Sequence, residues 1–218
     1  MKMTEEIRRP RGRRRAKRPY QKRRRAEQEQ RTRQRITESA VELHGSVGPA
    51  RTSISALAHH AGVRRSTVYR HFPDELALFT ACTTHWLAAN PFPEISRWAE
   101  IADAGERLRR GLNELYAHYR RTEPMMTNVL RDEPTMPVLG KMLDGYRRYL
   151  TAARAVLLEG RQMQPSSRRY VDAAIAHALA FQTWRSLAIE GRLDDATIAR
   201  LMCLLVAAII TDAELGGR

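Results

Sequence analysis

Cysteine is nearly missing from this chain, acidic residues are scarce at its start, and no apolar run is long. Cys82 and Cys203, the only cysteines among 218 residues, lie far apart and outside any cluster of metal-ligand spacing. A disulfide framework or a cysteine metal site is therefore not expected, and both thiols read as small apolar groups in a reducing compartment. The longest apolar run, Leu201 to Ile210, is about half of what a membrane-spanning helix needs. The basic start is not followed by an apolar segment of the secretory type. A soluble, cytoplasmic, nucleoid-associated protein without a membrane partner is the expectation. Catalytic signatures are lacking too: there is no H-E-x-x-H, G-x-S-x-G, P-loop or G-x-G-x-x-G. His59 and His60 are adjacent and diverge on a helix, while His85, His118 and His177 read as core or surface residues. No enzyme, metal or cofactor is expected.

What is present is charge, unevenly spread. The formal net charge is +14, and residues 1–35 hold 16 Lys/Arg against 4 Asp/Glu, leaving a nearly neutral body. The segment "RRPRGRRRAKRPYQKRRR", Arg8 to Arg25, contains Pro10 and Pro19 and almost nothing apolar to bury. Residues 1–26 are expected to be a disordered arginine-rich arm that binds polyanions, nucleic acid first.

Beyond the arm the apolar spacing is helical throughout, with about nine helices, no convincing strand and no internal repeat: an all-α chain. Ile36, Ala40, Val41 and Leu43 form one stripe, with Gly45 placed to end the helix. Ser53 is a good N-cap for a second helix and Asp194 for the last one. Pro124 is expected to break a helix that carries Leu108, Leu112, Leu115, Tyr116 and Tyr119. A long helix runs between Pro137 and Gly160, and another follows Pro165. From Ala173 to Phe181 and from Leu201 to Ile210 the residues are apolar almost all round, so those helices need burial on every side. A two-fold four-helix bundle formed by residues of about 166–190 and 194–212 from two copies supplies it.

In "ISALAHHAGVRRSTVYRHF", Ile54 to Phe72, two helices meet at Gly62, whose freedom at positive φ permits a tight turn. Small Ala58 allows close crossing, and Val68 locks the second helix on the first, which is the pattern of a helix-turn-helix. The exposed residues of that second helix are Arg64, Arg65, Ser66, Thr67, Tyr69, Arg70 and His71, without one acid. Arg64 stands where a capping Ser or Thr would be usual, and two cations face the positive end of the helix dipole. That is unfavourable unless phosphate oxygens lie opposite.

The stretch "TSISALAHHAGVRRSTVYRHFPDELALF", Thr52 to Phe79, resembles the DNA-binding domain of the TetR family of transcriptional regulators. The resemblance implies an N-terminal three-helix reader domain, residues 27–76, and a C-terminal domain, residues 77–218, for effector binding and dimerisation. It also implies a homodimeric repressor released from a palindromic double-stranded operator by a small molecule. By position, Thr52 and Ser55, with Arg65, Ser66, Thr67, Tyr69, Arg70 and His71, match DNA-contacting sites of the family. Tyr69 and His71 correspond to phosphate-side positions, the others of the third helix to base-side ones. Glu75 departs from the family's frequent lysine and is left out of the site. For the effector, Trp86, Tyr116, Tyr119, Met126, Tyr146, Phe181 and Trp184, with Phe92 and Met125, supply aromatic and thioether surface suited to an apolar or aromatic ligand. The competing expectation is an architectural protein that coats DNA without sequence preference, using the arginine-rich arm.

Overall fold

A computed structural model describes residues 17–211. Among them are ten α-helices and no strand: α1 Lys17–Ser46, α2 Ile54–His60, α3 Arg65–His71, α4 Glu75–Ala89, α5 Ile95–Ala99, α6 Ala104–Asp132, α7 Pro137–Leu158, α8 Arg168–Leu179, α9 Phe181–Arg185 and α10 Asp195–Thr211. The all-α expectation holds. Residues 1–16 of the expected arm lie outside the described residues.

α1 starts earlier than the arm reading allowed. Residues 17–26, expected to be disordered, are its first turns, and residues 20–31 are exposed all round. Apolar burial does not hold them. The packed part of the helix, from Ile36, is already formed, so adding residues ahead of it needs no new nucleus. Pro19 falls in the first turn, where a missing N–H costs nothing. The pairs Arg23–Glu27 (2.9 Å) and Arg25–Glu29 (3.3 Å) span one turn each. The helix also runs past Gly45. It ends at Ser46, where the amides of Val47 and Gly48 both reach the Leu43 carbonyl and Gly48 takes φ +99°.

Two cores share α4. The first gathers Ile36 and Ala40 of α1, Leu57, Ala58 and Ala61 around α2, Val68 and Phe72 around α3, and Leu78 and Cys82 of α4. It therefore reaches beyond residue 76, because α4 is one continuous helix. The second surrounds α6, with Trp98, Leu112, Tyr116, Tyr119, Leu157, Ile175, Trp184 and Ile198 all fully buried.

Pro124 does not break α6, and the short segment after it is the last part of a 29-residue helix. Pro124 lies on the exposed face, where water can take the Arg120 carbonyl that the missing N–H leaves free. The helix expected after Pro165 is instead interrupted at Ala180, whose ψ is 131°. The carbonyls released there are buried, and two tyrosines of α6 satisfy them: Tyr116 donates to Ala178 (2.8 Å) and Tyr119 to Leu179 (2.7 Å). Arg107 acts similarly across α6 and α7, donating to the carbonyls of Ile101, Ala102, Val156 and Glu159. No helix among the described residues is long and apolar enough to cross a membrane.

Candidate nucleic-acid interface and effector cavity

α2 begins at Ser53, whose hydroxyl accepts from the Ala56 amide at 3.1 Å. Its C-terminus closes through Val63 N–H to Ala58 C=O (2.9 Å), with Gly62 at φ +61°, the geometry that a Cβ would strain. The chain then turns at once into α3. Arg64 occupies the N-cap position and makes no capping hydrogen bond, so the first amides of α3 have no side-chain partner.

Val68 is wholly buried and fixes α3 against α2. Its neighbours face outward: Arg64, Arg65, Ser66, Tyr69 and Arg70 are exposed, while Thr67 and His71 are half-buried. None of the three arginines pairs with a described acid. From the side, Arg33 of α1 lies 4.1 Å over the Phe72 ring and donates to the His71 carbonyl, tying the end of α3 to α1. Burial, then Arg70 and Arg33, lower the His71 pKa. Its Nε2 is buried without a partner. On α2, Ser55 is exposed. The Thr52 hydroxyl donates to Gly48 C=O at 2.8 Å, so its proton is engaged within the turn and is not free for a phosphate. Asp74 caps α4 through the Ala77 amide (2.7 Å), and Glu75 is exposed in its first turn. Of the nine expected contact residues, Ser55, Arg64, Arg65, Ser66, Tyr69 and Arg70 are thus exposed, Thr67 and His71 are half-buried, and the Thr52 hydroxyl is engaged within the turn.

A cavity of about 280 Å³ lies where the two cores meet. Its walls come from α1 (Val41, His44), α4 (Phe79, Cys82, Thr83, Trp86, Leu87), α6 (Met125, Met126, Val129) and α7 (Leu139, Met142, Leu143, Tyr146), with Phe92 from the segment after α4. Of the expected lining residues, Trp86, Phe92, Met125, Met126 and Tyr146 are there. Tyr116, Tyr119, Phe181 and Trp184 are not: they are solid core, and the two tyrosines hold the α8–α9 interruption as described above. His44 stacks on Phe79, ring centroids 5.0 Å apart and nearly parallel. Burial pushes its pKa down to about 4, against a smaller upward pull from Asp132, so the ring is neutral. Burial pushes the Cys82 thiol up to about 12, which leaves it unreactive.

A polar joint beside the cavity was not legible in the sequence. Asn128 Nδ2 donates to the carbonyls of His44 (3.0 Å) and Gly45 (2.9 Å), Arg131 to Val47 (3.1 Å), and the Ala50 amide to Asp132 (3.0 Å). Burial raises the Asp132 pKa, but Arg131 and the Ala50 amide more than offset this and hold it below its ordinary value. A Cβ on Gly48 would run into Arg131 and Asp132. The end of α6 is thereby fastened to the end of α1, the helix that carries α2 and α3.

Comparison with known proteins agrees with this geometry. Residues 36–82 match the family model described as "Bacterial regulatory proteins, tetR family". Similar solved structures include a TetR-family transcriptional regulator from Mesorhizobium loti MAFF303099 (TM-score 0.58, 19% identity, 83% of this chain and 96% of that one). Others are a TetR-like transcriptional regulator from Rhodococcus sp. RHA1 (0.60, 19%, 86% and 97%) and a tetR-family transcriptional regulator from Streptomyces coelicolor (0.58, 21%, 86% and 86%). No curated protein matches the chain. The fold is that of the TetR-type transcriptional regulators, with a helix-turn-helix in front of a helical second domain. Residues 36–82, from the packed part of α1 to the middle of α4, are the part of the chain similar to that family.

Proposed function

We propose that the chain is a homodimeric, sequence-specific regulator of transcription: a repressor that a small molecule releases from a palindromic operator. One observation carries the reading: the outer face of α3 gathers Arg64, Arg65, Ser66, Tyr69 and Arg70, all exposed, on a helix fixed from behind by Val68. A helix of this kind fits the major groove, where arginine reads guanine and hydroxyls read several bases. Ser55 and Tyr69 suit phosphate contacts, and the basic start of α1 adds affinity that is independent of sequence.

The dimer reading rests on α8 and α10, which pack together. Leu201, Leu204 and Leu205 of α10 are 42%, 57% and 39% exposed, and Ala173 of α8 is exposed beside half-buried Ala176. Small residues on one helix and leucines on the other let two copies approach closely around a two-fold axis. Val206, by contrast, is 1% exposed and belongs to the subunit's own core. Selection from random duplex DNA, followed by footprinting of the selected site, tests the whole reading. A single footprint with two-fold sequence symmetry is expected. Protection that spreads along any duplex would overturn it in favour of non-specific coating.

A further inference from the structure

The cavity at the junction of the two cores says more about its ligand than that it is apolar. No Lys, Arg, Asp or Glu lines it. His44 is neutral there, and the Tyr146 hydroxyl is already engaged with Tyr119 at 2.8 Å. An ion entering this space would give up its hydration with no opposite charge to meet it. A neutral molecule of about two fused rings suits the volume.

Behind one wall, however, lie two polar atoms that nothing satisfies. His118 is 1% exposed, and its Nε2 is buried with no hydrogen-bond partner; the Tyr149 hydroxyl is in the same condition. Both rings pack on Phe92, at 4.9 and 4.6 Å between centroids, and His118 also meets the edge of Trp86 at 6.5 Å. Phe92 and Trp86 also line the cavity, so the His118 ring lies one side chain away from it. The tautomer of His118 follows from its surroundings. Burial, aided by Arg121, lowers its pKa to about 4, so the ring is neutral. Arg121 Nη2 approaches Nδ1 at 3.5 Å, and since a guanidinium can only donate, Nδ1 is the acceptor and Nε2 carries the proton. The Pro91 carbonyl is the nearest backbone acceptor and raises the pKa, but Nε2 does not reach it in hydrogen-bond geometry. A buried N–H with no acceptor is costly enough that one so placed calls for an explanation. Phe92 itself sits between Pro91 and Pro93, and none of the three makes a backbone hydrogen bond in the described structure.

We propose that the junction cavity takes a neutral, largely apolar molecule carrying a hydrogen-bond acceptor such as a ketone, and that Phe92 moves aside so that the acceptor meets His118 Nε2–H. The proposal rests on the regulator reading above and specifies its ligand class. Regulation follows from the walls: Val41 and His44 belong to α1, and Phe79 and Cys82 to the start of α4, all part of or next to the DNA-reading core. A ligand that fills the cavity and displaces Phe92 pushes α1 and α4 away from α6 and α7, against the joint at Asn128, Arg131 and Asp132. The strain falls on the helices that hold α3.

The test uses two naphthalene dyes with the full chain: prodan, a neutral ketone, and the anionic sulfonate ANS. Prodan is expected to bind saturably at one per chain with a blue-shifted emission, and ANS about tenfold or more weaker. Filling the cavity from either side, with Thr83→Phe or Val129→Phe, should abolish prodan binding; two variants guard against one misfolding. His118→Phe should weaken prodan about tenfold, the worth of one hydrogen bond to a buried donor, while leaving the melting temperature of the free chain unchanged or higher. A purely structural histidine would do the reverse. Prodan should also lower the affinity for the selected duplex. Absent prodan binding, equal binding of ANS, or indifference to both filling variants would overturn the ligand class. Unchanged affinity in His118→Phe would overturn the acceptor contact, and prodan binding without effect on the duplex would overturn the coupling. A chain that selects no duplex at all would sink the regulator reading instead, whatever the dyes do.

Discussion

Replacing Arg70 by alanine should relax base preference without disturbing the fold. Arg70 is exposed on α3, has no ion-pair or hydrogen-bond partner among the described residues, and contributes nothing to the core around Val68. Surface changes of this kind alter stability by only about 0.5 kcal/mol. An arginine bidentate to guanine discriminates by roughly 1–3 kcal/mol. In a homodimer the contact is made twice, so about 2–6 kcal/mol is at stake, or about thirty-fold to twenty-thousand-fold in affinity. The assay is fluorescence anisotropy with the selected duplex and each of its single-base variants, at one fixed salt concentration because phosphate contacts make affinity salt-dependent. The expected result is a large loss on the selected site, a small loss on random DNA, and indifference at one base pair per half-site. Removal of the Arg70 charge should also raise the His71 pKa, since Arg70 is one of the groups, after burial, that lower it. A variant that keeps wild-type preference at every base would refute the assignment of α3 as the reading helix. A uniform loss on all sequences would make Arg70 a phosphate contact and refute its role as base reader.

Other outcomes follow from the same structure. Leu204→Glu should leave a folded chain that sediments as a monomer at micromolar concentration, whereas Val206→Glu should unfold the subunit; a dimeric Leu204→Glu would remove α10 from the interface. Tyr119→Phe strips the buried Leu179 carbonyl and the Tyr146 hydroxyl of their partner, a loss of about 1–3 kcal/mol that thermal melting would register as several degrees; an unchanged melt would mean the α8–α9 interruption finds another donor. His44 and His118 both titrate at about 4 in the folded chain against 6.5 when free. Folding holds them neutral, so their contribution is complete above pH 6.5 and is lost as pH falls toward 4. Denaturant midpoints measured across that range should fall with pH, and His118→Phe should flatten the decline. Deleting residues 1–26 should lower affinity for selected and random duplexes by similar factors and reduce the salt slope by about 0.9 for each lost phosphate contact; an unchanged slope would show that this segment does not touch DNA.

The features that one stretch of backbone decides for itself were legible in the sequence. Ser53 as a cap, Gly62 at positive φ, Val68 as the single buried residue of α3 and the cationic face around it all follow from local geometry and side-chain period, so α2 and α3 stand where the spacing puts them. What depended on groups distant in sequence was not legible. Pro124 reads as a stop, yet solvent on that face lets α6 continue, while Ala180, which carries no sequence signal, interrupts a helix because two tyrosines of α6 take the freed carbonyls. The early turns of α1 read as too polar to order, but they grow from a helix already nucleated by its packed part. Spacing marks which aromatic residues face inward without saying whether they face atoms or space. Tyr116, Tyr119, Phe181 and Trp184 therefore looked the same as Trp86 and Tyr146, and only the meeting of α1, α4, α6 and α7 left a void beside the latter pair. Asn128, Arg131 and Asp132 find their partners on α1 and the turn that follows it, more than 80 residues away, a distance that no local pattern spans.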